Sequence, residues 1–195
     1  MKTIISMLFL GAVMMLIACG NNNNSEQSTE KKNDSTSQTS TNKTEIKKSG
    51  SANEIVAAYL ELKNALTNDN GNNAALAAKE ISTAIANVDE SALAADQKKV
   101  YGEVKDDIKE HAEHIGSNGS NIAHQREHFD LLSQDMVDLV KATGTSQTLY
   151  RDFCPMYNNK KGAAWLSETK EIKNPYYGKE MPKCGEVKEQ IKAKG

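Results

Sequence analysis

The chain has 195 residues, 24 basic against 26 acidic side chains, and a formal net charge of -2. That balance leaves no basic surplus for nucleic acid or for an anionic lipid surface, so neither is an expected partner. Aromatic residues make up 5% of the chain and prolines number 3, whereas alanine is abundant through residues 52–95, which favours helices over a β-sandwich.

Leu16-Ile17-Ala18-Cys19 closes an apolar run that begins at Ile4, behind the positive charge of Lys2. The run is too short to span a bilayer and has the form of a signal-peptide core. A small residue just before cysteine at the end of such a run reads as the cleavage box of a bacterial lipoprotein. On this reading residues 1–18 are removed and Cys19 is the site of lipid attachment. The mature protein then sits on the envelope membrane and faces an oxidising compartment. Gly20 is not an acidic retention signal, which leans the expected location toward the outer membrane, facing the periplasm. The plainer alternatives are an ordinary secretory signal with an incidental cysteine, or a short membrane anchor. Residues 19–50 hold a single aliphatic side chain, Ile46, among Asn, Ser, Thr, Gln and Lys. Such a segment buries too little surface to offset its ordering entropy, so it is expected to be a disordered tether. Residues 51–195 then form the folded domain.

Ser51-Ala52-Asn53-Glu54 has the form of a capping box, and Ile55, Val56, Tyr59, Leu62 and Leu66 come after it at helical spacing. A first helix is predicted to about residue 68, broken by Asp69-Asn70-Gly71. A second is predicted over 73–87, with Leu76, Ile81, Ile85 and Val88 as its apolar set. A third is predicted over 91–115 with Leu93, Val100, Val104, Ile108 and Ile115 as its apolar set. Gly116-Ser117-Asn118-Gly119 is a turn, and Ser120 is placed to cap the next helix. This fourth helix is predicted over 121–142, with Ile122, Phe129, Leu132, Met136, Leu139 and Val140 on one side and Gly144 as its stop. Short connections between long helices predict an all-α fold, an antiparallel four-helix bundle. From Ser146 the pattern changes to Gly, Pro, Asn and aromatic residues. An irregular C-terminal segment with room for short strands is expected to pack on the bundle, and the next helical stripe appears at 186–194.

All four histidines lie between residues 111 and 128. His111 and His114 are three apart on the third helix, and His124 and His128 are four apart on the fourth, so each pair shares one helical face. A hairpin folded about residues 118–119 sets His114 level with His124, and His111 level with His128. Two helices each offering paired imidazoles can build a transition-metal site. The bland alternative is one buried, hydrogen-bonded histidine and three solvated ones. Glu110, Glu113 and Glu127 are candidate partners of the rings, or simply solvated charges.

The tail holds a second group: Cys154-Pro155-Met156, and Met181 with Cys184. Thiolate and thioether are soft donors that suit copper(I)-like ions. With Cys19 assigned to lipid, Cys154 and Cys184 also form an even pair that suggests a disulfide, closing a loop of about thirty residues and stabilising the domain by roughly 2–4 kcal/mol. Both readings stand on the sequence alone.

The string His124-Gln125-Arg126-Glu127-His128-Phe129, then Leu132-Ser133, Cys154-Pro155-Met156-Tyr157-Asn158, Gly162-Ala163-Ala164-Trp165-Leu166-Ser167, Ile172-Lys173-Asn174-Pro175-Tyr176-Tyr177-Gly178 and Met181 to Cys184-Gly185 resembles a bacterial domain of unknown function. That domain occurs on envelope lipoproteins. It also occurs fused to periplasmic adaptor subunits of copper/silver-type heavy-metal efflux pumps. The resemblance covers about residues 53–192. It implies a helical bundle with an irregular tail and an association with heavy-metal handling, and it supplies no catalytic reaction. The domain's cysteine-proline-methionine element falls on Cys154, Pro155 and Met156, and its methionine-to-cysteine-glycine element on Met181, Cys184 and Gly185. The chain lacks the adaptor's hairpin, lipoyl-like and barrel portions, so it is not expected to serve as that subunit.

The expected function is therefore an envelope-anchored lipoprotein. It would bind copper or a similar soft ion through His111, His114, His124, His128, Cys154, Met156, Met181 and Cys184, and buffer it or hand it to efflux components. The alternative is an interaction module without a metal, stapled by a Cys154–Cys184 disulfide. No nucleophile elbow, phosphate-cradling glycine loop or paired catalytic carboxylates appear, so no enzyme is expected. The metal reading also expects the tail's sulfurs to fold back onto the imidazoles.

Overall fold

A computed structural model describes residues 51–194. The signal segment, the lipid site at Cys19 and the tether therefore lie outside the described residues. Four long helices come first: α1 (Ala52–Thr67), α2 (Gly71–Ala86), α3 (Ala95–Ser117) and α4 (Ile122–Thr143). Three strands come after them: β1 (Leu149–Cys154), β2 (Ala163–Ser167) and β3 (Glu186–Ile191). Among the described residues no helix is long and apolar enough to cross a membrane.

Helix boundaries reflect local chemistry. Ser51 stands at the start of α1, yet its side chain makes no capping bond; Glu54 N donates to the Ser51 carbonyl at 2.9 Å instead. The Asn70 side chain accepts from Asn73 N and starts α2 two residues earlier than the apolar pattern suggests. Asn121, rather than Ser120, caps α4 by accepting from His124 N. Gly144, at φ 81°, ends it. Before α3 the chain makes a short 3-10 turn, Glu90–Ala92, capped by Asp89.

Each helix buries one stripe. In α1 it is Ile55, Tyr59, Leu62 and Leu66; in α3, Tyr101, Val104, Ile108, Ala112 and Ile115; in α4, Phe129, Leu132, Met136, Leu139 and Val140. In α2 the stripe is mostly alanine: Ala74, Ala77 and Ala78 with Ile81 and Ile85. Leu76, expected inside, is 60% exposed because it lies on the opposite side of the helix from that stripe. The small side chains let α2 approach its neighbours closely. A Cβ on Gly71 would strike the Gly119 carbonyl of the α3–α4 turn. Gln125 reinforces this junction by donating to the carbonyls of Gly71 at 2.9 Å and Ile115 at 3.1 Å.

The tail corrects the all-α expectation. It forms a three-stranded antiparallel sheet in the order β2-β1-β3. Residues 186–191, the first part of the expected helical stripe 186–194, form the edge strand β3 instead, exposed over most of its length. Between β1 and β2 the chain turns through Asn158, Asn159 and Lys160, all in the left-handed region, and Gly162. Sheet and helices share one core, in which Trp165, Leu149, Leu166, Cys154 and Tyr176 pack with the helical stripes. Phe129 of α4 stacks on Tyr59 of α1 at 5.3 Å and meets Tyr176 of the tail at 5.6 Å.

Polar side chains pin the tail. Asn174 is fully buried; its Oδ1 accepts from Tyr176 N and Tyr177 N while its Nδ2 donates to the Cys184 carbonyl. Arg126 of α4 donates to the carbonyls of Pro175 and Leu66 and to Asp69, tying three segments together. Lys63, fully buried on α1, pairs with Glu168 just beyond β2 at 2.7 Å.

Candidate metal centre

The α3–α4 hairpin brings all four imidazoles together at the end of the helices nearest their connecting turn. His111 Nδ1 lies 3.2 Å from His128 Nδ1. The His114 and His128 rings stack at 4.3 Å, His124 and His128 meet edge-on at 4.6 Å, and His114 and His124 lie 6.1 Å apart. The pairing of levels comes from the two helices being folded about residues 118–119, as the spacing predicts.

Three of the rings form a candidate ligand set. One nitrogen each from His114, His124 and His128 falls within 4.8 Å of the others. In a tetrahedral zinc-like site, bonds of about 2.0–2.1 Å place nitrogens about 3.3 Å apart, so modest ring rotations close the remaining gap. His111 stands behind this set. A proton carried on His128 Nδ1 would be donated to His111 Nδ1 and would leave His128 Nε2 free as a ligand. Glu127 faces His124 Nδ1 at 3.4 Å and can orient that ring in the same way. Burial lowers the pKa of His111, and burial together with the neighbouring imidazoles lowers that of His128. Both rings are thus held neutral near pH 7, the form in which imidazole ligates. His114 is exposed and His124 and His128 are half-buried, so an ion at this place has an open approach from solvent.

The sulfur donors form a different group. Cys154 Sγ and Cys184 Sγ lie 2.7 Å apart, Cys154 fully buried and Cys184 half-buried. Contact between the two sulfurs pushes the Cys184 thiol further up, after burial has raised it, to about 11. Neither cysteine belongs to the imidazole set. Met156 is exposed, and Met181 is half-buried beside the turn that leads to Cys184. The expected convergence of sulfur and nitrogen donors is therefore not formed. The reason lies in α4: His124 and His128 face α3, while Arg126 and Phe129, roughly half a turn round the same helix, face the tail.

Two ionisable core residues lacked any sequence signal. Lys63 sits inside the apolar stripe of α1, and Asp152 sits at a fully buried position of β1. Asp152 reads as core only once the sheet is known.

Fold and site together define a mainly helical domain with a small sheet and a surface cluster of histidines. Residues 55–148 match the family model described as "Protein of unknown function (DUF3347)". The matched stretch holds the four long helices, less the first three residues of α1, and all four histidines, and it stops where β1 begins. That part of the chain is accordingly a domain of unknown function. No curated protein and no solved structure matches the chain.

Proposed function

We propose that the chain is an envelope lipoprotein whose α3–α4 hairpin binds a divalent transition-metal ion through His114, His124 and His128, with His111 orienting His128. The four long helices act as an antiparallel bundle that holds the two histidine-bearing segments in register. The observation that carries this reading is the approach of the three ligand nitrogens to within 4.8 Å of one another. Imidazole donors suit Cu(II), Zn(II) and Ni(II), and among divalent first-row ions Cu(II) heads the affinity order. Copper remains the proposed cargo, in its divalent form at this site, because the soft sulfurs stand elsewhere. A partly exposed site with three protein ligands keeps a position open for exchange, which suits buffering or hand-over more than a structural role. The resemblance of the tail motifs to a domain fused to copper/silver efflux adaptors supports efflux components as the recipients. Binding, rather than catalysis, is the activity proposed.

Calorimetric titration of the mature chain with Cu(II) and with Zn(II) tests this. One ion per chain is expected, with affinity at least 10-fold weaker in His128→Ala and in His124→Ala. Replacing His111 by Ala is expected to cost about 10–100-fold, as loss of a ring's orienting partner does. Equal affinity in the wild type and all three variants overturns the reading.

A second reading is favoured by the sulfur contact: Cys154 and Cys184 close a disulfide that staples β1 to the tail, and the domain then serves as an interaction module. The two readings use separate groups of residues and can hold together.

A further inference from the structure

We infer that a second site, which borders the imidazole centre at Glu127, lies between α4 and the tail and takes a primary alkylammonium group. A cavity of about 450 Å³ opens there, lined by Glu127, Asp130 and Leu131 of α4 and by Tyr157, Asn158, Asn159 and Tyr177 of the tail. Its size falls within the range of small-ligand pockets, about 300–1,000 Å³. The α4 residues stand at i, i+3 and i+4, so they form one continuous wall.

Three observations fix the chemistry of the occupant. First, Asp130 is only 8% exposed and has no cationic partner among the described residues. Its bonding partner in its own helix is Gln134 Nε2, at 3.3 Å from Oδ1 and 3.4 Å from the backbone carbonyl. A desolvated carboxylate without a counter-charge is costly, and a cation in the adjoining cavity relieves that cost. Second, Glu127 adds a second acidic group to the same wall, so anionic ligands are excluded. Third, the opposite wall is aromatic and held in place. Tyr157 stacks on Tyr176 at 4.3 Å and meets Tyr177 edge-on at 6.0 Å, while Tyr177 Oη donates to the Met156 carbonyl at 3.0 Å. Tyrosine faces attract ammonium groups by about 0.5–2 kcal/mol.

Among the described residues neither Glu127 nor Asp130 belongs to a group of three or more His, Cys, Asp or Glu side chains close enough to hold a metal ion. Leu131, 46% exposed, gives the wall an apolar surface suited to the methylene chain behind the charge. The ammonium can belong to a small diamine or to the lysine side chain of a partner protein; both present the same group to Asp130.

Titration of the mature chain in the presence of a chelator, monitored by amide chemical shifts, tests the site without involving the histidines. The probes are 1,5-diaminopentane, Nα-acetyl-lysine amide, and 1,5-pentanediol as the uncharged control. Saturable shifts at Tyr157, Tyr177 and Asp130 are expected with the amines and not with the diol. Affinity is expected to fall at least 10-fold in Asp130→Asn and in Tyr177→Leu, each checked for an unchanged helical spectrum, while His128→Ala binds normally. Tighter binding of the diamine than of Nα-acetyl-lysine amide assigns a small amine; tighter binding of Nα-acetyl-lysine amide assigns a partner's lysine side chain. Absence of saturable binding by either amine, or equal binding by Asp130→Asn and the wild type, overturns the inference.

Discussion

Asp152 stands directly across the β1–β2 pair from Trp165, and neither its two carboxylate oxygens nor the Trp165 indole nitrogen has a hydrogen-bond partner. Burial pushes this carboxyl up to about 7, only partly opposed by the Lys63 charge. The folded chain therefore prefers the protonated acid, whereas the unfolded chain ionises near the ordinary value of about 3.9. Stability from this residue is fully present below about pH 4 and is lost as pH rises toward 7, the reverse of a paired carboxylate. Asp152→Asn is expected to stabilise the fold by about 1–3 kcal/mol at pH 8 and by much less at pH 4.5. Urea midpoints at the two pH values check this, and an equal change at both contradicts it. At this scale the sequence was legible where spacing encodes geometry: the i+3 and i+4 histidine pairs met as expected, and His111, phased with the α3 stripe, is the ring that backs the set. Lys63 and Asp152 were illegible because a charged side chain at a core position carries no sign of its partners.

Helix approach decides much at the level of elements. Gly71 opens α2, where alanine has the better intrinsic helix propensity. Yet an added Cβ there meets the backbone carbonyl of Gly119, which cannot swing aside as a side chain can. Gly71→Ala is therefore expected to destabilise the fold by about 1–3 kcal/mol, against the propensity order. A raised urea midpoint would contradict that. The tail gives a second expectation. If Cys154 and Cys184 close their disulfide, reduction should lower stability by roughly 2–4 kcal/mol, read as a fall in urea midpoint with reductant that Cys184→Ser reproduces. An unchanged midpoint removes the staple. Helical stripes rich in Ile, Leu and Phe were readable. Of the apolar set expected for α2, Ile81, Ile85 and Val88 are buried as expected; Leu76 was misplaced, and Ala74, Ala77 and Ala78 overlooked, because leucine outweighs alanine in any hydrophobic count although alanine was what close packing required. β1 escaped notice because Asp152 interrupts its apolar alternation, and β3 because an exposed edge strand carries little apolar signal.

Across the whole molecule, the nitrogen donors and the sulfur donors occupy different faces of α4, and this separation reshapes the functional account. A single mixed site gives way to an imidazole centre on the hairpin and a thiol pair under the tail. The ordered motifs from Cys154 to Gly185 find structural duties: Asn174 organises the turn, Gly178 at φ 52° fits beside Asp69, where a side chain would clash, and Trp165 fills the core. For the lipid anchor, Cys19→Ala is expected to shift the chain from the membrane fraction to the soluble envelope fraction, while an unchanged membrane fraction counts against it. The most direct measurement of the central claim is X-ray absorption at the metal edge of the one-to-one Zn(II) complex of the mature chain. The predicted spectrum has a nitrogen shell at about 2.0–2.1 Å with imidazole scattering and no sulfur. A sulfur shell at about 2.3 Å, abolished in Cys154→Ser, would contradict the account.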